Sequence, residues 1–191
     1  MKKFTRAVAV TTLAAIPVIG FSAVPAGAKT VPPQKWLTQF CTSIGDWQQT
    51  ISDSSANVSD IVNGGEVADL EGAKSTYVDF LSQSIDATET AIDELKSAGT
   101  PKVKNGAKIS STIIQALDYA DGLLQAAESD AENISTADSA SFISDLTSIN
   151  DSVSQGFDKA QGDFAKVNKL DTDKVFDKLA KKTKACKALG A

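Results

Sequence analysis

The residues best suited to chemistry in this chain are its two cysteines, Cys41 and Cys186. The N-terminal residues predict that the chain is exported, and an even number of cysteines in an exported chain is typical of a disulfide. The bond would close a loop of 145 residues, which the chain-entropy model values at about 4–5 kcal/mol. A pair of reactive thiols is the alternative, but no histidine or arginine of the exported part is present to activate a thiolate. We therefore predict a Cys41–Cys186 disulfide.

Acidic side chains at helical spacing are the second candidate for chemistry. They fall into two groups, Asp86, Glu89 and Asp93 on one predicted helix and Asp118 with Asp121 on the next. Such carboxylates can bind calcium or magnesium. However, no loop has the EF-hand spacing, and Asp171-x-Asp173 is too short a motif to define a site. We interpret both groups as solvated faces and predict no metal site.

Residue types that are missing restrict the possible activities further. The chain has no histidine, and its single arginine, Arg6, lies in the N-terminal segment. This excludes Ser-His-Asp and Cys-His catalysis, histidine zinc sites and the Glu-x-x-His pairs of di-iron bundles. The sequence also lacks a Walker loop, Gly-x-Ser-x-Gly and Gly-x-Gly-x-x-Gly. We predict that the protein is not an enzyme and has no cofactor.

The first 28 residues have the layout of a secretory signal. Lys2, Lys3 and Arg6 precede an uncharged, mostly apolar stretch, and small residues, Ala26 and Ala28, stand where a signal peptidase reads. The alternative is a membrane anchor, because the stretch approaches the ~20 residues that span a bilayer. Two prolines and the Ala-Gly-Ala end argue against that. We predict cleavage after Ala28, an extracellular or envelope location, and one domain over 29–191.

Charge is unevenly distributed along the predicted mature chain. Its 16 lysines and 24 acidic residues give a net charge of −8, which argues against a nucleic-acid partner. Residues 46–163 carry −15, whereas residues 166–191 carry +5. The basic tail can offset the charge of the acidic bundle, or its lysines can contact an anionic lipid or wall polymer. The lysines of such a surface would be Lys174, Lys178, Lys181 and Lys182.

Apolar residues three and four positions apart predict four long helices that together position these groups. The first helix begins at Pro32-Pro33 and includes Val62, before Asn63-Gly64-Gly65, and the second includes Leu70 to Leu95 and stops at Gly99. Thr100 is the expected N-cap of the third helix, which has Pro101 as its first residue and reaches Ile134. Ser135 or Thr136 caps the fourth helix, which reaches Val167. Similar lengths and short connections predict an all-α, up-down-up-down four-helix bundle.

The predicted disulfide requires the C-terminal segment to fold back. Cys41 lies ~12 Å along the first helix, and a fourth helix that continued straight to Cys186 would overshoot the bundle by roughly 20–25 Å. A disulfide needs Cα atoms within about 7 Å of each other. We therefore predict a turn at Asp171-Thr172-Asp173 and a short fifth helix, from Val175 to Cys186, against the first helix.

The first helix resembles that of small exported helical-bundle proteins of actinobacterial type. The resemblance rests on the Trp36-x4-Cys41-x5-Trp47 pattern, together with the signal and a partnering cysteine near the C-terminus. It implies an exported, disulfide-closed bundle and carries no activity.

Three non-enzymatic functions fit these features. We expect an interaction or cell-envelope module whose partner and oligomeric state the residues do not specify. The alternative is a carrier of an apolar ligand such as a lipid or haem, with Trp36, Trp47, Tyr77 and Phe80 around a cavity. A pore-former is the least favoured of the three, because no long apolar hairpin remains once the signal is removed.

Overall fold

Four long helices build the protein in the computed structural model, which describes residues 29–56, 58–62 and 69–190. The elements are β1 (Thr30–Val31), α1 (Pro33–Ser55), α2 (Ser59–Val62), α3 (Leu70–Ala98), β2 (Thr100–Pro101), α4 (Gly106–Glu132), α5 (Ser139–Leu170), α6 (Val175–Ala180) and α7 (Lys184–Ala188). The predicted all-α bundle is confirmed. Residues 1–28, with the predicted signal and cleavage residues Ala26 and Ala28, lie outside the described residues.

The core consists of two apolar clusters stacked along the bundle. One surrounds the cysteines and includes Trp36, Leu95 and Leu117. The other lies at the opposite end and includes Tyr77 and Phe142. Each long helix contributes a stripe at the 3.6-residue period, so consecutive helices bury their apolar faces against each other. Packing is closest between α1 and α3, between α3 and α4, and between α4 and α5.

The first helix is shorter than the sequence predicts. It ends at Ser55, and α2 follows as a separate turn after a break. Ser54 Oγ donates to the carbonyl of Thr50 at 2.9 Å, and Ser55 Oγ donates to that of Ser52 at 2.8 Å. The helix therefore stops within a serine-rich stretch, where hydroxyls bond to backbone carbonyls of the preceding turn. The predicted stop at 63–65 lies outside the described residues.

The connection between α3 and α4 also differs from the prediction. Gly99 closes α3 at a φ of 79°, as expected, but Thr100 and Pro101 form β2, which pairs in parallel with β1. The third predicted helix therefore starts five residues later, at Gly106. The N–H of Thr100 donates to the carbonyl of Lys29 at 3.0 Å, so the N-terminal strand holds these residues extended.

The start of the fourth long helix corrects a second predicted cap. Asp138, rather than Ser135 or Thr136, is the N-cap of α5. Its carboxylate accepts the backbone N–H of Ser141 at 2.9 Å and the Ser141 hydroxyl at 2.6 Å. The hydroxyl bond is the larger cause, and together they lower the pKa of Asp138. Thr136 instead donates to the carboxylate of Glu71 on α3.

The C-terminal segment folds back, as the disulfide argument requires. The Cα atoms of Cys41 and Cys186 are 5.0 Å apart and their sulfurs are bonded. Asp171 makes the turn, because its carboxylate accepts the N–H groups of Val175 and Phe176, each at 2.9 Å. The predicted single fifth helix is in fact two short helices. The break falls at Thr183, whose hydroxyl accepts from Gln34 Nε2 at 2.6 Å and so fixes the segment to α1.

Candidate binding groove

The candidate site is a groove of about 450 Å³ at the disulfide end of the bundle. It lies where α5 and α6 meet α1 and α4. Its walls are mostly apolar: Trp36, Leu37, Phe40, Ile109, Ile113, Phe164, Ala165, Val167, Phe176 and Ala180. Its polar lining residues are Gln161, Asn168 and Asp177. This volume is within the range of roughly 300–1,000 Å³ that is typical of small-molecule sites.

The groove exists because the seam between α1 and α5 is wide. Within the described residues, these helices do not share the close backbone packing seen between α1 and α3 or between α4 and α5. Aromatic side chains occupy the seam instead. The rings of Trp47 and Phe157 lie 6.4 Å apart between centroids. Further toward the disulfide end, Phe164 and Val167 of α5 pack only partly against the core cluster, which leaves the groove between the helices.

Three neighbouring aromatic rings form the fixed wall of the groove. Trp36 lies parallel to Phe40, with a centroid distance of 5.5 Å and an interplanar angle of 7°. Phe176 of α6 lies 5.3 Å from Trp36 on a tilted plane. The Trp36 indole N–H donates to the carbonyl of Gly99 at 3.0 Å, so the ring cannot turn without losing a hydrogen bond. The wall is therefore preorganised.

Some apolar surface of the groove is uncovered. Phe40, Phe164 and Val167 are half-buried, whereas Trp36 is only 2% exposed. These half-buried side chains contact solvent in the groove. A ligand or partner that covered them would gain a free energy of about 25 cal/mol for each Å² of apolar surface removed from water. Gln161, Asn168 and Asp177 are exposed. The lining has one carboxylate and no hydroxyl or thiol, so it can hold an apolar group but offers no nucleophile with an activating base.

The four aromatic residues predicted to surround one cavity are distributed over three places. Trp36 lines the groove, whereas Trp47 bonds Thr88 of α3 through its indole nitrogen. Tyr77 and Phe80 pack against each other in the opposite cluster, 6.2 Å apart. Burial raises the pKa of Tyr77 to about 12. The prediction that these four residues line one cavity is therefore wrong, because Trp36 and Tyr77 lie in core clusters at opposite ends of the bundle.

Phe40, Phe164 and Phe176 are the groove residues that the sequence did not single out. Phe40 and Phe164 belong to the apolar stripes of the first and fourth predicted helices, and Phe176 belongs to the fifth. A helical period indicates that a residue faces inward. It does not indicate which neighbouring stripes fail to meet, so the sequence contains no signal for the groove itself.

The acidic groups lie away from the groove. Asp121 accepts from Gln125 Nε2 at 2.7 Å through Oδ2, while its Oδ1 is buried without a hydrogen-bond partner. Burial is the main cause that raises the pKa of Asp121, and the charges of Glu89 and Asp118 add to it. In residues 29–56, 58–62 and 69–190, no three cysteine or acidic side chains are arranged to hold a metal ion.

No described helix combines the length and the apolar character needed to cross a lipid bilayer. The chain matches no protein-family model, no curated protein and no solved structure.

Proposed function

We propose that the mature chain is an exported, non-catalytic binding module of the cell envelope that uses the groove at the α1–α5 seam. The observation that supports this best is the preorganised wall of Trp36, Phe40 and Phe176, which lines the same groove as the half-buried Phe164. Export is supported by the signal pattern of residues 1–28 and by the resemblance of the first helix to exported actinobacterial bundles. A partner would insert apolar side chains into the groove, as anchors do in protein–protein interfaces.

The non-catalytic part of the proposal rests on the residue types present. A chain without histidine has few ways to activate its serines. Two buried hydroxyls, those of Ser84 and Thr88, donate to carbonyls one turn back, at 2.8 and 2.7 Å. Turnover of any substrate by the pure exported protein would contradict this part.

The binding role can be tested with a matched pair of variants in α5. Phe164→Ser changes the groove, whereas Phe157→Ser removes the same side chain seven residues earlier, where it packs on Trp47. The exported chain is followed by fractionation of the cells that produce it, and mass spectrometry checks cleavage after Ala28. We expect envelope association to fall in the first variant only. Equal association of both variants with wild type would refute a role for the groove.

The volume of the groove favours a second candidate, a carrier of one small apolar ligand. A Trp47→Phe variant leaves Trp36 as the single tryptophan of the mature chain, on the groove wall. Its fluorescence should respond saturably to a fatty acid or haem that enters. A variant with Trp36→Phe, which retains only Trp47, should not respond. Identical responses from the two variants would show that the ligand binds elsewhere.

A further inference from the structure

Charge is segregated along the bundle far more strongly than along the sequence. The segments 29–36, 95–109 and 169–184 together hold twelve lysines and three aspartates, a net charge of +9. The remaining part of the chain after residue 28 carries −17. Six of the twelve lysines precede residue 109, so they lie outside the basic tail that the sequence identifies. They are Lys29, Lys35, Lys96, Lys102, Lys104 and Lys108.

Hydrogen bonds bring these three segments together at the disulfide end. The N–H of Lys102 donates to the carbonyl of Val31 at 2.8 Å, which ties the β2–α4 connection to the N-terminal strand. Asn105 Nδ2 donates to the carbonyl of Leu170 at 2.9 Å, which ties it to the end of α5. The bond from Gln34 to Thr183 adds the α6–α7 connection. We call the surface formed by 29–36, 95–109 and 169–184 the basic end.

The lysines of the basic end face solvent. All twelve are exposed: Lys29, Lys35, Lys96, Lys102, Lys104, Lys108, Lys169, Lys174, Lys178, Lys181, Lys182 and Lys184. Of the three aspartates, Asp171 is buried and accepts two backbone N–H groups. The other two aspartates, Asp173 and Asp177, are exposed. Asp93 and Glu94 of α3 line a surface pocket together with Lys29 and Lys35. With these two carboxylates counted, the lysines still outnumber the outward-facing acids of this end, so its surface is positive.

We propose that the basic end docks on a bilayer that contains anionic lipid. The lysines come from the starts of α1 and α4, from the ends of α3 and α5, and from α6–α7, so they surround the end of the bundle instead of forming a stripe. A flat anionic surface can contact lysines from all of these segments at the same time. The acidic remainder is repelled by the same surface, so the bundle stands on its basic end.

The arrangement favours a bilayer over a long polyanion. The bundle is roughly 45 Å long at 1.5 Å per residue, and a polymer that ran beyond the basic end would meet the acidic sides. Lysine is a point charge that does not recognise one phosphate geometry, which suits diffuse attraction to headgroups. Val31, Pro101 and Val103 at this end are buried or half-buried. The contact is therefore electrostatic and reversible.

Vesicle sedimentation of the exported, processed protein tests the proposal. We expect it to pellet with vesicles of equal parts phosphatidylglycerol and phosphatidylcholine at about 0.05 M salt and to be released at about 0.5 M, because salt shortens the screening length. It should stay in the supernatant with phosphatidylcholine alone. Binding that is indifferent to lipid charge or to salt, or no binding at low salt, would overturn the proposal.

Two charge variants distinguish the effect of the lysines at the basic end from the effect of the net charge of the protein. A triple variant with Lys102, Lys104 and Lys181 changed to Gln loses three charges there, and we expect vesicle affinity to fall on the order of 100-fold. The control Q83E/S129D/S144D makes the same net change at exposed positions of the acidic part and should bind nearly as the wild type does. Equal losses in both would contradict the proposal.

A competition experiment distinguishes a polymer from a bilayer. Soluble polyphosphate that binds tightly while anionic vesicles do not would overturn the bilayer in favour of a polymer. The groove is tested separately, since Phe164→Ser leaves all twelve lysines in place. Vesicle binding that the lysine variant retains in full would overturn the basic end alone. Envelope association that Phe164→Ser retains in about 0.5 M salt, where the basic end no longer binds, would overturn the groove alone.

Discussion

Trp47 of α1 donates its indole N–H to the hydroxyl oxygen of Thr88 on α3, over a distance of 2.9 Å. Thr88 is completely buried, and its hydroxyl donates in turn to the carbonyl of Ser84 at 2.7 Å. This short chain lies where the two apolar clusters of the core meet. A directional bond at that position fixes how α1 and α3 are placed along each other, which apolar contacts alone specify less sharply.

The first prediction concerns this bond. Thr88→Val keeps the shape of the side chain but removes the acceptor for Trp47, so we expect unfolding free energy to fall by about 1–2 kcal/mol in urea titrations. The double variant with Trp47→Phe should lose less than the sum of the two single changes, because the donor is then absent as well. Strict additivity would show that the indole N–H finds water instead.

The disulfide is expected to contribute much of the stability. Replacing Cys41 and Cys186 with Ala opens a loop of 145 residues, and we expect a loss of up to about 4–5 kcal/mol. The segment α6–α7 should also undock, so trypsin should cut after Lys181 or Lys182 sooner than after Lys159 in α5. A midpoint of urea unfolding unchanged by reduction would contradict this account.

Two glycines of α4 should respond oppositely to alanine. Gly122 is exposed, and an added Cβ would meet no atom within 4 Å, so Gly122→Ala should stabilise the protein by about 0.5–1 kcal/mol. At Gly106 the added Cβ would collide with the carbonyl oxygen of Pro101. Gly106→Ala should therefore destabilise by roughly 1–3 kcal/mol. Thermal unfolding of both variants measures the contrast, and a shift of the same sign in both would disprove the close approach.

Stability should depend on pH through Asp121, whose pKa is raised chiefly by burial. The folded protein holds this proton more tightly than the unfolded chain does. The resulting stabilisation is complete below the ordinary pKa and is lost as pH rises through the raised value. Asp121→Asn should therefore be slightly more stable than wild type at pH 7, by no more than roughly 0.5 kcal/mol because Asp121 is only half-buried and solvent screens its charge, with no such advantage at about pH 3.

The control for that prediction is Asp86→Asn, at an exposed position of α3. It removes one negative charge from the same bundle without removing a buried carboxylate. Urea titrations at both pH values measure the two variants side by side. An equal gain from Asp86→Asn would assign the effect to net charge instead of to Asp121.

The sequence predicted the long helices well because the periodic burial of apolar residues dominates their energetics. It failed at the end of α1 and at the starts of α4 and α5, where few hydrogen bonds decide between alternatives of similar energy. Thr100 and Pro101 have the residue types of a helix start, yet they form a strand because Lys29 supplies an acceptor. That acceptor is some 70 residues away in the chain, and local patterns contain no information about it.

The sequence by itself determined the helical class, the pairing of Cys41 with Cys186 and the turn at Asp171. These follow from local periodicity, from the presence of only two cysteines in the chain, and from the distance that the chain can reach. Only the tertiary structure decided that α1 and α5 are separated by aromatic rings, which creates the groove. It also decided that lysines from three distant segments share one end of the bundle. Both features depend on which helix faces meet in space, and that is set by the packing of the whole core.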